Sequence, residues 1–339
     1  MQGTNSGASA PLSVWAFERP DPRDLSLDWL RARGATVENG RLGVEPGFLR
    51  YEVEDILTGA RDCEAVLGAS SAKFTRDVLA RLPRLRFIAK LGIGVDSIDV
   101  AAATERGVVV ADTPEAASVS TVAENAITMM LALYKRLTYW TPAHMREGGW
   151  RGGEFASALE GKTVGIVGFG RIGRAVARRL AGWDAEIIAH DPFATPTPGD
   201  NLVDLSELLE RADVVTLHCA ATPENHHLIG AAALARMKRS AILVNTGRGS
   251  LVDGHALASA LRENRLAGAA LDVFEREPPD PADPLLSLPN VVVTPHAASW
   301  TLEAFRDRRQ RAARNLVALW RGEPCPDIVN PEALKVQRP

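Results

Sequence analysis

The sequence contains few cysteines and no apolar run long enough to cross a membrane. Its three cysteines, Cys63, Cys219 and Cys325, are odd in number, far apart and never in CxxC spacing. Such cysteines suggest neither a disulfide framework nor a thiolate metal site, so a reducing, cytoplasmic location is expected. The longest strongly apolar run, residues 126–134, is about half of a membrane span. We therefore expect no membrane partner.

The chain also lacks an excess of charge of either sign. It has 39 basic and 42 acidic residues, a formal net charge of −3. This balance argues against a global field that would draw the protein to nucleic acid or to an anionic membrane. The seven histidines form no metal-rich tract, so no metal site is expected. Residues 1–11 have neither a basic start nor an apolar core, and we expect them to form a disordered leader.

What the sequence does contain is a repeated alternation of short apolar runs and longer stretches of helical periodicity. The length of 339 residues corresponds to about two domains. Apolar runs predict early strands at residues 12–17, 65–69, 86–91 and 108–111, and a tighter series at residues 163–167, 186–190, 213–218, 241–245, 268–273 and 291–294. Long helices are predicted at residues 118–137 and 302–320. This pattern is typical of parallel α/β proteins, and six strands fit a complete doubly wound sheet.

A glycine-rich turn follows the first strand of the second series. Gly168, Gly170 and Gly173 form a GxGxxG motif where a strand passes into a helix, the arrangement in which a pyrophosphate meets a helix N-terminus. The glycines alone are also compatible with an ordinary tight turn. The next strand, however, ends at Asp191, 23 residues after Gly168, where a carboxylate would accept hydrogen bonds from an adenosine ribose. Because no arginine follows directly, NAD is preferred over NADP.

Three later segments place reactive side chains after strands, where open α/β sheets bind their ligands. They carry Arg248, then Asp272 with Glu277, and then His296. Each has an ordinary alternative, as a solvated loop cation, a surface carboxylate or a helix-start histidine. Together they supply an anion clamp, a proton donor that works near neutral pH, and an acid that orients the donor. This is the inventory needed to reduce a 2-oxo acid.

The motifs together resemble those of the NAD-dependent D-2-hydroxyacid dehydrogenases, a family that includes phosphoglycerate, glyoxylate/hydroxypyruvate and D-lactate dehydrogenases. The resemblance rests on KLGIGVDSID, STVAEN, GFGRIG with Asp191, LHCAATPEN, NTGRGSLVD, LDVFEREP and TPHAAS. It implies an α/β fold of two Rossmann-like domains, each a doubly wound parallel sheet, with a cleft between them. The NAD-binding domain would occupy residues 113–299. A flavodoxin-like substrate domain would combine residues 12–112 with 300–335.

The resemblance also implies roles for individual residues. The catalytic set would be Arg248, which binds and polarises the substrate, His296, which transfers the proton, and Glu277, which orients that histidine. The cofactor would contact Gly168, Gly170, Arg171, Ile172, Gly173, Asp191, His218, Thr246, Gly247, Arg248, Asp272 and His296. The substrate would contact Lys90, Gly92, Ile93, Gly94, Arg248 and His296. A homodimer is expected through the helix at residues 118–137, because family members dimerise in this region.

One sequence position narrows the substrate within this class, and the fold itself serves other functions. Ala69 stands where phosphoglycerate-using members place an arginine, which argues against a committed phosphoglycerate dehydrogenase. The same fold also serves NAD(H)-sensing corepressors that bind partner peptides, and phosphite and formate dehydrogenases. A small anionic 2-oxo or 2-hydroxy acid is the substrate that the motifs favour.

Overall fold

The computed structural model describes residues 10–17, 24–39, 51–68, 72–114, 116–150 and 155–337. Residues 1–9 of the expected leader, and Ala69, lie outside the described residues. The chain divides into two compact units, the first formed by the residues up to Ser118 together with those from Leu302 onward, and the second by Val119–Thr301. The division falls inside a long helix, a few residues after the boundary expected at residue 113. Each unit is a parallel sheet covered by helices, which confirms the predicted fold class.

The first unit contains a five-stranded parallel sheet in the order β2-β1-β3-β4-β5. Its strands are β1 (Ser13–Ala16), β2 (Thr36–Asn39), β3 (Ala65–Gly68), β4 (Phe87–Lys90) and β5 (Val109–Ala111). Its helices are α1 (Ser26–Arg31), α2 (Val53–Ala60), α3 (Arg76–Ala80), α4 (Val100–Glu105) and α11 (Leu302–Arg321). Strand β2 was not predicted, because its TVEN sequence is largely exposed at the sheet edge and carries no apolar run. The final helix, α11, packs on β3 and β4.

The second unit contains a six-stranded parallel sheet in the order β11-β10-β9-β8-β6-β7. The six predicted runs correspond to β6 (Thr163–Val167), β7 (Glu186–His190), β8 (Val214–Leu217), β9 (Ile242–Asn245), β10 (Gly268–Leu271) and β11 (Val291–Val293). The helices are α5 (Ala116–Tyr134), α6 (Pro142–Arg146), α7 (Arg171–Leu180), α8 (Leu205–Arg211), α9 (Ala231–Arg236) and α10 (Gly254–Arg262). A single parallel bridge from Ala189 to Leu202 stands beside β7, where a doubly wound sheet has its outer strand.

Both faces of each sheet are buried. Residues of β8, β9 and β10 alternate between one apolar cluster packed against α8, α9 and α10 and another packed against α5 and α7. The first sheet likewise separates a cluster that includes α2, α3 and α4 from one that includes α1 and α11. Strands buried on both faces are expected to be continuously apolar, which is why they were recognisable in the sequence.

Polar side chains begin several of the helices. Asp204 accepts a hydrogen bond from the Glu207 amide at the start of α8, and Asp253 accepts one from the Ala256 amide at the start of α10. Such caps satisfy amides that have no partner inside the helix and stabilise it by about 1 kcal/mol each. No described helix is both long enough and apolar enough to span a membrane. Because every strand is parallel, the loops after them gather at one edge of each sheet, and the motif residues lie in those loops.

Candidate active site

The glycine motif forms the turn between β6 and α7, and its three glycines meet three different constraints. Gly168 has a φ of +91°, and a Cβ there would lie 2.3 Å from the Cys219 amide nitrogen. A Cβ on Gly173 would lie 2.2 Å from the Gly168 carbonyl oxygen, so helix and turn touch. At Gly170, by contrast, a Cβ would meet no described atom within 4 Å. Gly170 therefore leaves room in front of the first turn of α7, as a dinucleotide phosphate requires.

Asp191 follows β7 and reaches the same turn. Its Oδ2 accepts a hydrogen bond of 2.8 Å from the Phe169 amide, and its Oδ1 accepts one of 2.9 Å from the Phe193 amide. The carboxylate thus joins the end of β7 to the glycine turn. Each oxygen retains lone-pair capacity, because a carboxylate accepts about four hydrogen bonds. The residues present fit the adenosine end of NAD.

His218 directly follows β8 and lies between two hydroxyl groups. Its Nε2 lies 2.9 Å from the Thr216 Oγ1, and its Nδ1 lies 3.4 Å from the Thr246 Oγ1. Burial lowers the pKa of His218 to about 4. The imidazole of His218 is therefore neutral at pH 7. It forms hydrogen bonds at this strand end but adds no positive charge there.

The loop that follows β9 carries Arg248 and is braced by a buried asparagine. The Asn245 side chain accepts a hydrogen bond from the Gly247 amide at 3.0 Å and donates one to the Arg248 carbonyl at 2.9 Å. A Cβ on Gly249 would lie 1.9 Å from the Phe274 carbonyl carbon, so this loop packs directly against the one after β10. The positioning role of Asn245 was missed in the sequence, although the residue stands inside a recognised motif.

His296 and Glu277 form a hydrogen-bonded pair beside that loop. His296 Nδ1 donates to Glu277 Oε2 at 2.7 Å, and the side chains remain 46% and 38% exposed. The other Glu277 oxygen accepts a hydrogen bond of 3.1 Å from the Phe274 amide. Burial raises the pKa of Glu277, but the bond from His296, the Phe274 amide and the positive charge of Arg248 together lower it. The carboxylate is therefore ionised and holds one ring nitrogen, which leaves Nε2 available for other contacts.

Asp272 holds the segment that carries His296. This buried carboxylate accepts hydrogen bonds from the Ala297 amide at 2.8 Å, from the Ala298 amide at 3.1 Å, and from the Thr294 hydroxyl. The His296 amide also donates to the Asp272 carbonyl at 2.7 Å. His296 itself has a φ of +52°, an unusual conformation for a side-chain-bearing residue. The hydrogen bonds to Asp272 hold the backbone of His296 in this conformation.

The LGIG segment of the first unit forms a turn after β4. Gly92 has a φ of +87°, and its amide donates to the Thr113 hydroxyl at 2.7 Å while its carbonyl accepts from the Thr113 amide at 3.2 Å. Ile93 is exposed and Gly94 is half-buried, so the turn is accessible to a ligand. Lys90 is buried, and its ammonium donates to the Leu91 carbonyl at 3.0 Å. Thr113, which fixes the turn, was not singled out in the sequence.

Comparison with known proteins identifies the family. A sequence model described as "D-isomer specific 2-hydroxyacid dehydrogenase, NAD binding domain" matches residues 127–298. A glyoxylate reductase of Korarchaeum cryptofilum is 42% identical over 293 residues, which cover 84% of this chain and 88% of that protein. The chain belongs to the D-isomer specific 2-hydroxyacid dehydrogenase family. The members of this family are oxidoreductases. The expected enzyme class is therefore confirmed: the protein exchanges a hydride between NAD(H) and a small 2-oxo or 2-hydroxy acid.

Two further relatives of this dehydrogenase extend the comparison. A D-3-phosphoglycerate dehydrogenase of Methanocaldococcus jannaschii is 40% identical over 299 residues, which cover 86% of this chain but only 56% of that protein. A solved structure of a Thermus thermophilus protein superposes with a TM-score of 0.85 at 35% identity, covering 94% of this chain and all of the other. The matched NAD-binding domain contains the glycine turn and Asp191, so the expectation that NAD is the cofactor is confirmed.

Proposed function

We propose that this dehydrogenase reduces a small, unphosphorylated 2-oxo acid such as glyoxylate, with His296, Glu277 and Arg248 as its catalytic residues. The observation that carries the proposal is the 2.7 Å hydrogen bond from His296 Nδ1 to Glu277 Oε2. This bond fixes which ring nitrogen faces the carboxylate, so Nε2 is the atom that can exchange a proton with substrate. Bound NADH would supply the hydride to C2.

Proton transfer is the task that we assign to His296. As C2 is reduced, negative charge develops on its oxygen, and the imidazolium donates the Nε2 proton to that oxygen. The ionised Glu277 stabilises the charged ring before transfer and holds its orientation afterwards. The half-exposed position of the pair allows the ring to regain its proton from solvent.

Substrate binding is the task that we assign to Arg248. Its planar guanidinium can form two parallel hydrogen bonds with a carboxylate or polarise the neighbouring carbonyl oxygen. Asn245 holds the backbone on both sides of Gly247, which keeps the arginine directed by a rigid loop. In the first unit, which we propose as the substrate domain, Lys90, Gly92, Ile93 and Gly94 are the proposed contacts. Backbone amides in such a turn can bind an anion.

The choice of a small substrate rests on the relatives and on one sequence position. The Korarchaeum relative is named a glyoxylate reductase, and this chain spans most of its length. Ala69 replaces the arginine that phosphoglycerate-using members place there, so the sequence offers no cation for a phosphate at that position. We therefore expect activity with glyoxylate, hydroxypyruvate or pyruvate and little with a phosphorylated 2-oxo acid.

The experiment is a steady-state assay of NADH consumption across glyoxylate, hydroxypyruvate, pyruvate, bulkier 2-oxo acids and 3-phosphohydroxypyruvate. We expect the highest kcat/KM for one of the small unphosphorylated acids. Preference for the phosphorylated acid would contradict the substrate assignment. Absence of turnover with every acid, together with intact NADH binding, would instead favour the sensing, corepressor-like alternative.

We propose that the enzyme is a homodimer. In the single subunit, several large apolar side chains that follow α5 in the sequence are exposed to solvent, namely Leu137, Tyr139, Trp140, Met145 and Phe155. Exposed apolar patches of this kind commonly mark an interface between subunits. Size-exclusion chromatography with light scattering tests this directly, because a monomer at micromolar concentration would contradict the proposal.

A further inference from the structure

A cluster of two histidines and a glutamate lies outside the set of residues assigned to the reaction. His226 and His227 follow a short turn of 3-10 helix, and Glu275 lies in the loop after β10. One ligand atom from each residue lies within 4.8 Å of those of the other two. We infer that these three side chains form a binding site for a divalent zinc-like ion, which we call the HHE site.

The donor chemistry suits such an ion. Two imidazole nitrogens and one carboxylate oxygen are the ligands that Zn²⁺ prefers in protein sites with an open fourth position. Oxygen-seeking ions such as Mg²⁺ and Ca²⁺ are bound by sets of oxygen ligands, so two histidines select against them. Both Nε2 atoms lie near Glu275 Oε1. The two imidazole rings are stacked with their centroids 3.9 Å apart, so one ring must turn about its side-chain bonds for both nitrogen lone pairs to point at a single ion.

The distances are close to those of a coordination sphere. Ligand atoms about 2.1 Å from a tetrahedral zinc lie about 3.4 Å from each other. His226 Nε2 lies 3.5 Å from Glu275 Oε1, which already meets this requirement. His227 Nε2 donates a hydrogen bond to the same oxygen at 2.7 Å. Metal binding would replace that hydrogen bond with an Nε2–metal bond, and the ring proton would move to Nδ1 through solvent.

Both sides of the HHE site are held by the fold. The His227 amide donates to the Ser250 carbonyl at 2.8 Å, and a capping arrangement between Thr222 and Asn225 closes the preceding turn. Glu275 follows Phe274, which packs against Gly249 and donates its amide to Glu277. A site on braced backbone loses little conformational freedom when an ion binds.

An ion can also reach the site. The side chains of His226, His227 and Glu275 are 53%, 33% and 46% exposed. Glu275 lines a cavity of about 410 Å³. The same cavity wall also contains two aspartates, Asp280 and Asp283, and one arginine, Arg276. This wall therefore carries a net negative charge, which favours the approach of a cation.

The test is direct binding of Zn²⁺ to the full chain after removal of metal by a chelator. Competition with a chromophoric chelator should show one ion per chain with a dissociation constant of about 1–100 µM, weaker than four-ligand structural sites. His226→Ala and Glu275→Gln should each weaken binding at least about tenfold. Addition of Co²⁺ to the wild type should produce the intense visible absorption of a tetrahedral complex, which both variants lose.

The matched control is His144→Ala, which removes a half-buried histidine of the same unit that lies outside both the HHE site and the wall of the cavity. It should bind zinc like the wild type. Melting temperatures in the absence of zinc would show whether a variant remains folded, and added zinc should raise the melting temperature only where the HHE site is intact. Equal binding by wild type and both site variants, or no binding tighter than about 1 mM, would overturn the inference.

Discussion

His296 Nδ1 and Glu277 Oε2 are joined by a 2.7 Å hydrogen bond between two side chains that lie 19 residues apart in the sequence. The carboxylate is bound again by the Phe274 amide, so the glutamate is oriented before it orients the histidine. We therefore expect the two residues to act as a unit in catalysis, with the histidine exchanging the proton and the glutamate positioning it.

Replacement of the histidine should separate catalysis from cofactor binding. His296→Gln should lower kcat by a factor of about 10²–10⁴, because a general acid contributes about that much. Glu277→Gln should cause a smaller loss, and the double variant should be little worse than His296→Gln alone, since the pair acts together. NADH affinity, measured by fluorescence titration, should stay near the wild-type value. Unchanged turnover in His296→Gln would reject the proton-transfer role.

Arg248 offers a test of bidentate recognition. Arg248→Lys keeps the positive charge but loses the planar fork, so KM for the 2-oxo acid should rise at least about tenfold and kcat should also fall. Arg248→Ala should weaken substrate capture further. Steady-state kinetics at fixed NADH provide the measurement. A lysine variant with wild-type kcat/KM would show that the residue contributes charge only.

The glycine turn provides a matched pair of variants. Gly170→Ala places a methyl group where no described atom lies within 4 Å, so the melting temperature should change little. The methyl would occupy the space required by the pyrophosphate, and NAD affinity should fall at least about tenfold. Gly168→Ala, with a φ of +91° and a backbone nitrogen 2.3 Å from the new atom, should instead destabilise the fold by about 2 kcal/mol or more. Equal loss of stability in both variants would contradict this division.

Asp272 is expected to stabilise the loop that carries His296. This role does not depend on whether Asp272 also contacts the cofactor. Asp272→Ala should remove the acceptor for the Ala297 and Ala298 amides and cost about 1–3 kcal/mol for buried donors left without a partner. Thermal unfolding without NAD would reveal this cost, and kcat should fall as His296 loses its position. A normal melting temperature combined with a raised KM for NAD would indicate that cofactor binding is its main role.

Asp112 should make stability depend on pH. Its burial and the neighbouring Asp327 carboxylate raise the pKa of Asp112 from 3.8 to about 6. The folded state therefore binds a proton more tightly than the unfolded state between these values, and the free energy of unfolding decreases as pH rises through this range. Asp112→Asn should remove this loss. As pH rises from about 4 to about 8, the free energy of unfolding of the variant should therefore increase by about 1–2 kcal/mol relative to that of the wild type.

Asp62→Asn makes the same substitution at an exposed carboxylate of the same unit and is the matched control for Asp112→Asn. Denaturant unfolding at several pH values supplies the comparison. The main-chain bond from the Asp112 amide to the Asp327 carbonyl, and the one that Asn315 donates to the Asp112 carbonyl, remain available in the variant. An Asp112→Asn effect that does not vary with pH would reject the elevated pKa.

Strands buried on both faces were predictable because their apolar runs are continuous, as in β9 with its ILVN sequence. Strand β2 was missed because an edge strand needs little apolar surface, and Val37 is the single apolar residue of Thr36–Asn39. The outer strand beside β7 is reduced to the Ala189 to Leu202 bridge, so it left no run to recognise. Positions of motif residues at strand ends were likewise predictable, since parallel strands place their carboxyl ends together.

The amino-acid sequence by itself determined the family, the α/β class, the glycine turn and the residue types available for reduction of a 2-oxo acid. These are local properties, because periodicity and motif spacing are read along the chain. Only the tertiary structure decided which distant groups meet. It joined His296 to Glu277, gave Asp272 and Asn245 the hydrogen bonds that hold their loops, and brought Glu275 to His226 and His227 across 49 and 48 residues. Such contacts depend on how loops from different strands pack, and that packing has no signature in any single segment.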